Sequence, residues 1–284
     1  MAKRCLIYAH WDRDGVVDPH VIYALRQYRP AVDRIVFVST NYQVPCRELE
    51  AVADDIIRRA NEGYDFQSWR DGLAALGSST FDEVVFANSS VYGPVWPIDR
   101  VFASPIARNG GLWGMSISCE QTVHLQSYFM AMAWPLLMSE AGKKLWQNIR
   151  PFRDKARVIE EYELTWMSHC LAAGAPVSAF FDARHHHRVP FSERLANIVR
   201  WPPKLKESRN YRRAVRCANS NPTHLQWKQL LESGVPFVKV ELITLNPYSI
   251  RLSRVFDWLE KHTEYPTDLI RRHRARLQRD AMAA

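Results

Sequence analysis

Cysteine is sparse in this chain: five occur among 284 residues, Cys5, Cys46, Cys119, Cys170 and Cys217. The count is odd, the spacing is wide and no CxxC pair occurs, so neither a disulfide framework nor a zinc site is indicated. Reduced thiols in a cytoplasmic protein are the simplest expectation. Long apolar runs are missing as well. The most apolar stretch, Tyr128 to Met138, is interrupted by Pro135 and falls short of the roughly 18 residues that cross a bilayer. The run near Cys5 to Ala9 is too short for a secretory leader. There is no Walker A loop, GxGxxG turn, GxSxG elbow or HExxH helix. His185-His186-His187 is a histidine run, but neighbouring side chains diverge and three in a row rarely close around one ion. No metal ligand set is therefore assigned.

What is present supports a packed enzyme-sized domain. Hydrophobic residues make up 47% of the chain, enough for a sizeable core and against global disorder. Ten Trp raise the aromatic share to 12%; such rings pack cores and equally form platforms for sugars and bases. The net charge of +8 fits an anionic partner, whether phosphorylated substrate, acidic membrane or nucleic acid, and fits a solvated basic surface equally. Arg crowds at the C-terminus, as Arg271, Arg272, Arg274, Arg276 and Arg279.

The first ninety residues alternate strands and helices. Cys5–Ala9, Arg34–Thr40 and Asp82–Ala87 are short apolar, β-branched runs bounded by polar loops, which predicts buried strands. Between them, helices are predicted over 21–28, 47–59 and 64–76. The pattern predicts an α/β fold with a mostly parallel sheet covered by helices on both faces. Ligands then bind outside the carboxyl ends of the strands, here the loops 10–18 and 88–94. Further on, 112–118 and 124–132 read as strand or strand–helix pieces, 158–173 as one helix ended by Gly174, and 177–181 as a strand. Residues 188–213 read as an irregular basic excursion, 221–233 as a helix, 235–242 as a strand, and 249–259 and 267–282 as C-terminal helices.

Four segments carry side chains suited to chemistry. The loop Tyr8 to Gly15 holds aromatics, acids and an Arg. Asp65 is placed to cap the helix that carries Trp69 and Arg70. Asn88-Ser89-Ser90 breaks off a strand, with Trp113, His124 and Gln126 downstream. Glu160, Glu161 and Glu163 crowd a helix start, where the helix dipole alone would favour them.

Taken in order, YAHWDRDGVVDPHVIYAL, IIRRANEGYDFQSWRDGL, VVFANSSVYGPVWP, GLWGMSISCE, HLQSYF, VIEEYELTWMSHCLAAG and NPTHLQWKQLLESGVPFVKVELITLNP resemble the rhamnan synthesis protein F family. The likeness runs over about residues 3 to 248. It implies a glycosyltransferase of the Rossmann-like A type (GT-A), with a domain over 1–248 and a C-terminal helical extension over 249–284. The implied reaction moves a sugar, rhamnose or a related deoxyhexose, from a nucleotide-sugar donor to a saccharide or lipid-linked acceptor in surface polysaccharide assembly. In A-type enzymes a short acidic motif after a sheet strand holds Mg²⁺ or Mn²⁺ and the donor diphosphate. Asn88-Ser89-Ser90 occupies that strand end without a carboxylate, so basic groups and backbone N–H donors become the alternative to a metal.

The resemblance further implies that the acidic helix start supplies the base that deprotonates the acceptor, with Glu163 first and Glu161 second. The donor set expected is His10, Asp12, Asp14, Asp65, Trp69, Arg70, Asn88, Ser89 and Ser90. The acceptor set is Trp113, His124 and Gln126. The Arg-rich tail suggests peripheral contact with anionic membrane. Two other classes stay open. A non-catalytic scaffold in polysaccharide assembly fits the substitution at Ser89. A basic nucleic-acid-binding protein fits the charge, but no such motif occurs and the acidic cluster opposes it.

Overall fold

The computed structural model describes residues 2–43, 45–185 and 221–281. The chain forms two compact units. The first takes in Met1–Ser89, Pro97–Met115 and His124–Ala179, and the second Ser90–Trp96, Ser116–Val123 and Phe180–Ala284. The expected excursion over 188–213 lies outside the described residues, as do two of the three consecutive histidines.

The first unit is built on strands β1 (Arg4–His10), β2 (Arg34–Ser39), β3 (Asp55–Arg58) and β4 (Glu83–Asn88). These four run parallel, in the order β3-β2-β1-β4. Their residues show why: Leu6, Ile7, Ile35, Val36, Val38, Val84 and Val85 are fully buried. A parallel strand covered on both faces needs such near-continuous apolar, β-branched runs. The sheet continues through β6 (Leu112–Ser118), β7 (His124–Leu125) and β8 (Phe129–Ala133), in the order β4-β8-β6-β7, and β9 (Val177–Asp182) pairs with β6. Strand β8 runs antiparallel to β4, with Phe129 opposite Ala87.

Helix α1 (Pro19–Tyr28) starts on the Asp18 side chain, which accepts from the backbone N–H of His20. Helix α3 (Tyr64–Ala74) lies so close to the sheet that a Cβ at Gly72 would come 2.3 Å from Ile7 Cγ2, so glycine is required there. Phe66, Trp69, Phe86, Trp146 and Trp166 pack edge-on and tilted around this helix, with ring centres 4.4–5.8 Å apart. Much of the tryptophan therefore serves the core.

Several expectations need correction. The helix predicted over 47–59 is a single turn, α2 (Arg47–Glu50), followed by the edge strand β3. Asp54 diverts the chain: its carboxylate accepts from the Ile35 N–H at 2.7 Å and from Arg29 at 2.5 Å, which lines Ile56 and Ile57 up beside β2. Gly63, not Asp65, occupies the position before helix α3. The helix predicted from 158 begins at Lys155, where Asp154 caps Ala156 N–H. It passes through a π turn over Ile159–Glu163 before resuming as Leu164–Ala172. The acids thus sit one turn inside the helix rather than at its start.

In the second unit, the strand predicted over 235–242 shrinks to β10 (Val238–Lys239), paired with β5 (Val91–Tyr92). After Lys239, Val240 N–H still donates to the Ser90 carbonyl at 2.9 Å, and the chain turns into the short helix Val240–Thr244. Pro222–Leu225 and Trp227–Glu232 are two short helices where one was expected. Leu252–His262 and Asp268–Ala281 are the C-terminal pair. Trp96, Trp227 and Trp258 cluster with one another in this unit.

Candidate functional site

From β1 the chain steps outward to β2 and β3, and then β4 returns to the other side of β1. At such a reversal the loops leaving the two neighbouring strands diverge and open a crevice, the usual ligand position in an open α/β sheet. The loops in question begin at His10–Trp11 and Asn88–Ser89.

The first loop is tightly held. His10 is buried with Nδ1 2.9 Å from Ser39 Oγ, at the end of β2. Ser89 Oγ accepts from the Trp11 N–H at 3.2 Å and donates to the Trp11 carbonyl at 3.0 Å. One hydroxyl thus satisfies both main-chain groups of Trp11. Asp12 is buried, and its carboxylate accepts from the N–H groups of Asp14 and Val16 at 2.9 and 3.3 Å, while its own N–H donates to Asn41 Oδ1 at 3.1 Å. Such an Asx turn replaces backbone partners with a side chain. Gly15 closes the loop at φ +70°, with the Asn41 carbonyl 2.5 Å from where a Cβ would stand. Asp14 is exposed and pairs with Arg13 at 2.9 Å. Trp11 itself projects 51% exposed.

Beside this loop, buried Asn88 donates its side-chain amide to Asp65 at 2.9 Å. The Asp65 charge adds to burial in pushing the Tyr8 hydroxyl far up. Arg70 is half-buried and donates to the Ile149 carbonyl at 2.9 Å. Two residues of the expected set lie closed off from solvent. Trp69 is fully buried with its indole N–H on the Ala87 carbonyl at 3.0 Å. Trp113 is fully buried with its N–H on Glu83 at 2.6 Å. Direct stacking on a ligand is not open to either, because the ring faces are taken by core neighbours. Ser90 belongs to the second unit, where its hydroxyl accepts from Lys239 Nζ at 2.9 Å and its carbonyl from Val240 N–H.

The acidic segment reaches the same sheet edge by another route. Because β8 is antiparallel to β4, its beginning at Phe129 lies against the carboxyl end of β4. Just before it, Ser127 donates its N–H to Glu163 Oε1 at 3.2 Å. Glu163 is therefore held next to Gln126, which is buried, as is His124 in β7. The π turn makes this possible. It sends Tyr162 into the core, where its hydroxyl accepts from Arg150 N–H at 2.7 Å, while Glu163 stays half-buried at the edge. π turns of this kind recur at functional sites. Glu161 points elsewhere, exposed and 4.0 Å from Arg157.

A divalent cation fits this strand end poorly. Mg²⁺ and Mn²⁺ want carboxylate oxygens, and the residue following β4 offers a hydroxyl already engaged on both sides by Trp11. Asp12 and Asp65 are nearby acids, but each carboxylate holds a loop or strand-end group.

Asn41 and Ser127 were not among the residues expected at the site, whereas Trp11 falls inside the loop Tyr8 to Gly15 that the sequence singles out. Trp11 had a signal, an aromatic directly after a strand in a polar loop. Asn41 and Ser127 act through hydrogen bonds to distant segments and carried none.

The chain belongs to the rhamnan synthesis protein F family, whose sequence model matches residues 35–198. It is 27% identical over 210 residues to "Virulence protein VirA" of Vibrio anguillarum, covering 70% of this chain and 66% of that one. An uncharacterized protein of Sinorhizobium fredii is 28% identical over 132 residues, 44% of this chain and 34% of its own. The chain thus spans under two thirds of the length of each. Among solved structures, glucosyl-3-phosphoglycerate synthase of Mycobacterium tuberculosis is 14% identical with a TM-score of 0.38, over 64% of this chain and 70% of that one. A mannosyltransferase of Pyrobaculum calidifontis, solved with GDP-Man and Mn²⁺, is 11% identical with a TM-score of 0.40, over all of this chain and 80% of that one. Structural likeness at that level carries no argument about chemistry.

Proposed function

We propose that this chain is an A-type glycosyltransferase that moves a sugar from a nucleotide-sugar donor to a saccharide acceptor during surface polysaccharide assembly. Family membership supports the reading, and one observation carries it. A carboxylate on a π turn, Glu163, is anchored by Ser127 at the sheet edge where the β1 and β4 loops diverge. As general base, Glu163 takes the proton of the acceptor hydroxyl. The freed oxygen attacks the anomeric carbon, and the nucleoside diphosphate leaves with the bonding pair, inverting the configuration. His10, Asp12, Asn88 and Ser89 shape the donor side, and His124 and Gln126 the acceptor side. The donor sugar is a deoxyhexose such as rhamnose, on family grounds.

A thermal-shift screen against UDP-, GDP-, dTDP- and CMP-sugars, followed by a transfer assay with the best donor, tests this. Stabilisation by one donor class together with transfer is expected; stabilisation without transfer or hydrolysis would favour the scaffold reading. In the same assay, activity is expected to persist in EDTA, since the strand end lacks a carboxylate. Complete loss on chelation, restored by Mn²⁺, would show a cation site rebuilt from acids such as Asp12 and Asp65.

Membrane contact belongs to the same proposal. On the last helix Ile270 is fully buried, Arg271 pairs with Glu260 at 2.7 Å and Arg272 with Asp268 at 2.6 Å. With its apolar side turned inward, such a helix can only bind a membrane electrostatically. Pelleting with anionic vesicles at low salt should drop on Arg276→Glu/Arg279→Glu; equal pelleting would remove the tail as the contact.

A further inference from the structure

We infer that Trp96, Trp227 and Trp258, the described tryptophans of the second unit, form with His262 a surface that binds a saccharide chain. It takes sugar units of the acceptor other than the one that reacts, and this choice of ligand rests on the transferase reading above. In the first unit Trp69, Trp113, Trp146 and Trp166 are buried, and Trp69 and Trp113 commit their indole N–H groups to Ala87 and Glu83. Trp96, Trp227 and Trp258 are all half-buried, and among the described residues none of their N–H groups has an acceptor. An indole N–H usually finds a partner when its ring is packed away, so three left over on adjoining rings leave room for acceptors from a ligand. Distant parts of the chain deliver these rings. Trp96 follows strand β5, one residue past Val95, whose N–H donates to the Pro236 carbonyl at 2.9 Å. Trp227 opens the helix Trp227–Glu232, and Trp258 lies on Leu252–His262 between buried Val255 and Leu259. The Trp258 ring centre is 6.3 Å from that of Trp96 and 6.4 Å from that of Trp227, both edge-on. Rings fixed in this way lose little freedom on binding.

The chemistry of the patch selects its occupant. His262 stacks on Trp258 with ring centres 4.6 Å apart, and its Nδ1 lies 2.8 Å from the Trp258 carbonyl. A carbonyl oxygen only accepts, so Nδ1 carries the proton, and in the neutral ring Nε2 is an acceptor. The surface thus offers aromatic faces, N–H donors and a ring-nitrogen acceptor. A sugar matches all three: its C–H faces cover rings, and each hydroxyl both donates and accepts. On the same helix Arg254 and Lys261 lie one turn either side of Trp258 and are exposed, as is Asp257. Lys228, beside Trp227, pairs with Glu232 at 3.5 Å. Charges of both signs give no cationic field for a phosphate or a nucleic acid. They also interrupt the apolar area that a partner helix laid in a groove would need. Sugars held here add binding that does not change as the reaction proceeds, so they lower KM for a long acceptor without raising kcat.

Calorimetry and transfer assays on the full chain test this, with methyl rhamnoside and a rhamnose hexasaccharide as probes. The wild-type protein, Trp258→Ala, Trp258→Phe and His262→Ala are compared after their melting temperatures are shown to agree; exposed His262 keeps the test open if Trp258→Ala does not fold. Trp258→Ala should bind the hexasaccharide at least about tenfold more weakly, and Trp258→Phe should recover part of that loss by restoring a ring face. His262→Ala should lose about three- to tenfold, the worth of one hydrogen bond. Where transfer is measured, KM for the hexasaccharide should rise by the same factors, while transfer to methyl rhamnoside stays unchanged. Equal hexasaccharide binding in all four proteins, or wild-type binding no tighter than that of methyl rhamnoside, overturns the surface while transfer by the wild-type protein keeps the transferase reading intact. Self-association lost in Trp258→Ala with hexasaccharide binding unchanged would make the patch a contact between copies and overturn it too. Hexasaccharide binding weakened as stated, in a protein that transfers no sugar, would support the surface and sink the transferase reading instead.

Discussion

Glu163→Gln is expected to lower sugar transfer by at least about a hundredfold while donor binding stays near its wild-type strength. Loss of a general base costs about 10²–10⁴ in rate, because the acceptor hydroxyl must then attack while still holding its proton. The glutamine carbonyl can still accept from Ser127 N–H, so the loop between β7 and β8 keeps its anchor and the fold is not the variable. Donor affinity by calorimetry and initial rates with saturating donor separate the two. Near-normal turnover would sink the assignment and turn attention to Asp12. Glu161 is a weaker second choice than it looked in the sequence, since its carboxylate is exposed and faces Arg157.

Acid should destabilise the fold through His224. This side chain is 3% exposed, and among the described residues neither ring nitrogen has a hydrogen-bond partner. Burial brings its pKa from the ordinary 6.5 down to about 4; Lys239 adds to the fall and Glu241, 3.7 Å away, opposes it. The folded-state value is the lower one, so the unfolded chain takes up a proton first as pH drops. Stability from this group is therefore complete above about pH 6.5, falls steadily on acidification, and has lost about 3 kcal/mol by pH 4, below which the group contributes no further change. Urea denaturation at pH 7.5 and 4.5 reads this out. The wild-type protein should lose about 2.5 kcal/mol more between the two than His224→Gln; parallel losses in both would contradict it.

The strands and strand ends were readable because their causes are local. β1, β2 and β4 announce themselves as short β-branched runs that stop at polar turns, and the loops after β1 and β4 meet through Ser89 and Trp11. Helix α2 misled for the opposite reason. Leu49, Val52, Ala53 and Ile56 keep helical spacing, yet the Ile35 N–H some twenty residues earlier captures Asp54 and pulls Ile56 into the sheet. Spacing cannot register a competitor from another strand. Trp69, between Ser68 and Arg70, misled similarly, and so did Trp113 on β6: only packing reveals that each ring is buried. Trp11, in the loop after β1, is half exposed, while Trp69, on helix α3, is fully buried.

The π turn over Ile159–Glu163 carries a consequence for how this segment tolerates change. One residue more than a regular helix would hold is looped into a single turn, so everything after it is rotated by about 100° from where an unbroken helix would put it. Removing one residue between 159 and 163 would straighten the segment. Glu163 could then keep Ser127, or Trp166 and Cys170 could keep their buried places, but not both. Single substitutions in the turn should be forgiven more readily than any one-residue deletion. The bulge works as a mechanical coupling with slack.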